Sequence, residues 1–121
     1  MKHFILGLVA VISVAAPAIA HHSFADYDDK RRMTLTGTLK SVRFTNPHIG
    51  LVVAVRTPTG VEDWEFSGPS PADWRAGGWV KSDFVVGEEA TITGFPKRDG
   101  AKHLSINLLK TKGKSWGREY K

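Results

Sequence analysis

The chain has 121 residues, no cysteine and a formal net charge of +5. Lack of cysteine excludes disulfides, thiol catalysis and Cys-ligated zinc, so stability must come from a hydrophobic core. The charge is uneven: residues 97–121 carry eight basic side chains against only Asp99 and Glu119, a block that reads as an interaction tail or a solvated one.

Residues 1–20 have the three parts of a cleavable secretory signal peptide. Lys2 supplies the positive start, Phe4 to Ala16 is an uncharged apolar run, and Pro17 precedes Ala18-Ile19-Ala20 at the cleavage site. The run is shorter than the roughly 20 residues that a bilayer-spanning helix needs. The expectation is a mature protein that starts at His21 and has no membrane span after cleavage. Residues 21–32 then form an N-terminal arm.

A β-barrel domain is expected over residues 33–110, with no internal repeat. Met33, Leu35, Gly37 and Leu39 alternate with Thr34, Thr36, Thr38 and Lys40, the period-2 pattern of a half-buried strand. The phase then flips to Val42 and Phe44, as a β-bulge would make it do, so this long strand should bend. Asn46-Pro47 ends it in a loop. A second strand runs from Ile49 to Thr57 and a third from Val61 to Ser67, joined by the turn Pro58-Thr59-Gly60.

Ser70, Pro71 and Asp73 are start signals for a helix of one or two turns, which Gly77-Gly78 stops. Glu88 to Phe95 and Lys102 to Lys110 are two further strands around the turn Arg98-Asp99-Gly100. In the last of these, Leu104, Ile106 and Leu108 fall on one face, with His103, Ser105 and Asn107 on the exterior. Residues 111–121 read as a loose basic tail with a lone Trp116. Three strands, a short helix and two strands give a mainly β chain, a small OB-fold-like five-stranded barrel. A five- or six-stranded sandwich is the alternative.

Cleavage after Ala20 would free the His21 α-amine, which with the His21 imidazole can chelate one metal ion, and His22 adds a second imidazole. Imidazole ligands without thiolate point to copper(II) or zinc. His48, in the Asn46-Pro47-His48 loop beside the usual OB-fold ligand face, is the third candidate ligand or a pocket hydrogen-bonding group. His103 is a weaker candidate on an ordinary strand exterior. Trp64, Phe66, Trp74 and Trp79 read first as core, with a stacking platform as the other reading. Asp63 and Glu65 share the outer face of strand three.

No G-x-S-x-G elbow, H-E-x-x-H helix or phosphate-binding glycine loop is present, so a binding module is expected rather than an enzyme. Two readings follow: a module for copper(II), zinc or a small ligand, or a protein-interaction module that reaches an envelope component through the basic tail. Export takes the chain away from nucleic acid, despite the taste of the OB-fold for it.

The start His21-His22-Ser23-Phe24, the Thr36-Gly37-Thr38 strand and the Asn46-Pro47-His48 loop resemble a family of small exported Gram-negative bacterial proteins of unknown function. Trp64 with Phe66, Gly78-Trp79 and the Gly94-to-Gly100 segment carry the same resemblance. It implies a periplasmic location and no established activity. Many members have an aromatic soon after Asn-Pro-His, where this chain has Ile49-Gly50-Leu51.

Overall fold

The computed structural model describes residues 24–119, so the expected signal segment 1–20 and the candidate ligands His21 and His22 lie outside the described residues. Six strands are described: β1 (Met33–Arg43), β2 (Gly50–Thr57), β3 (Gly60–Ser67), β4 (Glu89–Pro96), β5 (His103–Thr111) and β6 (Lys114–Gly117). The helix α1 (Pro71–Ala76) lies between β3 and β4, and short 3-10 turns occupy Phe24–Asp26 and Lys81–Asp83. No helix among the described residues is long and apolar enough to cross a membrane.

The phase flip in the sequence has its cause in β1. Met33 to Thr38 pair with β4, whereas Gly37 to Arg43 pair with β2. The β1–β2 register skips Lys40, since Leu39 faces Val53 and Ser41 faces Val52. This extra residue lets one strand serve both sides of a closed sheet. A parallel pairing of Glu65–Ser67 with His103–Ser105 joins β3 to β5 and completes a five-stranded barrel of order β1-β2-β3-β5-β4. The topology is that of the OB-fold, not a sandwich.

Inward side chains of all five barrel strands form the core: Leu39 and Leu51, then Phe66, Ile92 and Leu104, are each at most 2% exposed. Burying such a side chain stabilises the fold by about 1.5–3 kcal/mol. The helix closes one end. Ser70 Oγ accepts from the Asp73 amide at 3.3 Å, and the Asp73 carboxylate accepts from the Ser70 amide at 3.2 Å, a reciprocal cap that fixes a six-residue helix. Trp74 is thereby driven fully into the interior against Trp79 and Phe84. Trp79 is core as well. Trp64 is only half-buried and packs against the rim of the core.

Two expectations are corrected. In β5, Leu109 is buried and Leu108 is not. The β4–β5 register jumps from Thr93 facing Leu108 to Gly94 facing Ile106, so Asn107 is bulged out and the inward phase shifts by one. Gly94 permits this crowding, because a Cβ there would overlap the Ser105 carbonyl. The end of the chain is not uniformly a loose tail either. Lys114 to Gly117 form β6 antiparallel to β5, and the Trp116 ring stacks on Trp74 with centroids 4.1 Å apart.

Candidate functional site

One end of the barrel carries a cleft of about 530 Å³. Its walls are Asp26 and Tyr27 of the N-terminal arm, Arg43 at the end of β1 and the β1–β2 loop through His48. Lys97, between β4 and β5, and Ser67, His103 and Ser105 complete the lining. This is where OB-folds commonly bind ligands, between the first loop and the loop joining strands four and five.

The arm is tied to the barrel mainly by backbone. Tyr27 bridges to Lys97, the Asp28 amide donates to Pro96 O at 2.8 Å, and the Arg98 amide donates to Asp26 O at 2.9 Å. The Arg98 side chain adds a bond to Ala25 O at 3.0 Å. These contacts hold the Tyr27 ring edge-on to His103, with centroids 5.8 Å apart.

His103 is the centre of the polar network. Its Nε2 lies 2.7 Å from Ser67 Oγ and 3.2 Å from the Tyr27 hydroxyl, while Nδ1 lies 3.4 Å from Glu65 Oε2. A carboxylate at Nδ1 favours the proton on that nitrogen, which leaves Nε2 to accept from the two hydroxyls. This tautomer is assigned from the contacts. Burial of the ring, reinforced by the Lys97 charge, pushes the imidazole below its ordinary value of 6.5, while Glu65 and Asp99 oppose the shift. The ring is therefore neutral near pH 7. An exterior position for His103, expected from alternation, is thus corrected: the arm and the β1–β2 loop build walls around it.

The cations complete the site. Among the described residues, neither Arg43 nor Lys97 has a side-chain hydrogen bond or ion pair, and Asp26 is the one carboxylate that lines the cleft. Arg43 faces Gly50 across the β1–β2 ladder, and a Cβ on Gly50 would lie 2.9 Å from Arg43 Nη2. Glycine at this position lets the guanidinium lie across β2.

Of the three candidate metal ligands, the structure places His48 on the exposed rim of the cleft, while His21 and His22 lie outside the described residues. Among the described residues no group of three His, Asp or Glu side chains is placed to hold a metal ion. Sequence reasoning missed Tyr27, Arg43, Ser67 and Lys97. They come from four separate segments, and no local motif joins them.

A model of the family of unknown function DUF6152 matches residues 9–106. The chain belongs to that family. The matched span takes in every residue that lines the cleft and stops short of β6. Membership brings no activity with it. No curated protein matches the chain.

Proposed function

We propose that this family member is an exported, periplasmic binding module whose cleft takes a small carboxylate- or phosphate-bearing ligand. The carrying observation is the pair of cations, Arg43 and Lys97, unpartnered among the described residues, in a cleft that also presents hydroxyl and imidazole groups. Charge-assisted hydrogen bonds from such groups to an anion are about twice as strong as neutral ones. A concave site with a few convergent polar groups is the usual form of a small-molecule site.

Copper(II) or zinc is the second ligand class. It rests on the sequence at His21 and His22 and on the place of His48 on the cleft rim. Attachment to an anionic envelope component is the alternative, and it rests on the basic end of the chain. Part of that charge is neutralised internally, because Lys110 pairs with Glu119 and Lys114 with Asp83.

Titration of the periplasm-purified protein with inorganic phosphate and with succinate at low salt, followed by amide NMR, tests the reading. Shifts should cluster on residues 43–48, 67, 97 and 103, and Lys97→Ala with Arg43→Ala should abolish them. Shifts confined to the basic end would favour the envelope reading. A response only to zinc or copper(II) would favour the metal.

A further inference from the structure

We propose that Ser67 is a nucleophile activated by His103, and that the cleft performs acyl transfer from a small carboxylic ester that bears an anionic group. The inference deepens the anion-cleft reading and rests on it.

The parallel β3–β5 pairing sets Glu65 opposite His103 and Ser67 opposite Ser105. Glu65 and Ser67 are two apart on one strand and so share a face, one on each side of the imidazole. The serine oxygen is 2.7 Å from Nε2, and the carboxylate is 3.4 Å from Nδ1. A nucleophile within hydrogen-bond reach of a base, which a third group orients, is the general arrangement of nucleophilic catalysis. The groups facing His103 are Glu65 from β3, Tyr27 from the arm, and Lys97 and Asp99 from the β4–β5 turn. Tyr27 shares Nε2 at the longer distance of 3.2 Å.

In the reaction, Ser67 Oγ bonds to the ester carbonyl carbon and passes its proton to Nε2, while the carbonyl electron pair moves to oxygen. Collapse breaks the bond to the leaving alkoxy group, which departs with the proton from Nε2 and leaves an acyl group on Ser67. Water, deprotonated by the same nitrogen, then releases the acid and restores the hydroxyl. Water is the only co-reactant. Arg43 and Lys97 line the same cleft and are the donors available to the oxyanion or to the anionic group of the substrate.

The test treats the exported protein with a fluorophosphonate probe and maps the adduct by peptide mass spectrometry. Expected is one adduct on Ser67, absent in Ser67→Ala. In His103→Gln it should form about 100-fold more slowly or worse. Labelling should also slow as pH falls below the ordinary imidazole value of 6.5 and Nε2 takes a proton. Should His103→Gln fail to fold, Glu65→Gln replaces it. Its side chain is 69% exposed, and a slowed rate is again expected.

No adduct on Ser67, an adduct on Tyr27 instead, or a rate indifferent to both variants overturns the proposal. Phosphate titration run in parallel separates the two readings. Binding without labelling removes the nucleophile alone, and neither binding nor labelling removes both.

Discussion

His103 is half-buried and held neutral, and the consequence appears in stability. In the unfolded chain the imidazole takes up a proton near its ordinary value of 6.5, whereas in the folded protein it does so only at lower pH. Between these two values the unfolded state binds more protons, so stability falls as pH falls through that window. The melting temperature should therefore drop from pH 7.5 to pH 5, and His103→Gln should flatten the slope. An unchanged slope in that variant would assign the acid sensitivity to other groups.

Gly50 offers a second test at this scale, because its place opposite Arg43 matters only if the guanidinium is used. A Cβ at 2.9 Å from the flexible end of Arg43 displaces that side chain at little cost to the fold. Gly50→Ala should leave stability within about 1 kcal/mol. It should also raise the Kd for phosphate about tenfold, a change of roughly 1.4 kcal/mol.

Among the elements, β6 carries more than its four residues suggest. Through Trp116 it covers the Trp74 face of the helix, where stacked rings contribute about 0.5–1.5 kcal/mol beyond their buried area. Trp116→Ala should cost about 2–3 kcal/mol in urea denaturation, less than a fully buried ring because Trp116 keeps some exposure. A loss under about 0.5 kcal/mol would mean that the helix stays seated without it. Strand β1 makes the complementary case. Lys40→Ala removes a surface ion pair with Asp63 at 2.7 Å and should change stability by less than about 1 kcal/mol. Deleting Lys40 leaves Val42 in phase with Leu39 but removes the bulge that lets β1 bend between β4 and β2, so the loss should reach at least about 3 kcal/mol.

At the scale of the molecule, the barrel was legible because each strand announces itself locally. Alternation marks β1, the Ser70-to-Asp73 cap marks α1, and the phase change at Lys40 marks the bend. These are nearest-neighbour effects, set by side-chain period and by hydrogen bonds a few residues apart. The second bulge, at Asn107, left no such trace, since Leu108 and Leu109 are equally apolar and only pairing with β4 decides between them. Trp116 was equally silent, because its partner Trp74 lies far back in the chain.

The same division runs through the site. A β-rich domain without disulfides, the helix cap and the loop that carries His48 follow from the sequence by itself, because each rests on residue types and short spacings. The cleft does not. Tyr27, Arg43, Ser67, Lys97 and His103 meet only where the arm crosses the barrel and β3 runs parallel to β5. Tertiary structure alone decided that His103 faces a polar pocket rather than solvent, because its surroundings come from strands and loops that no local pattern connects.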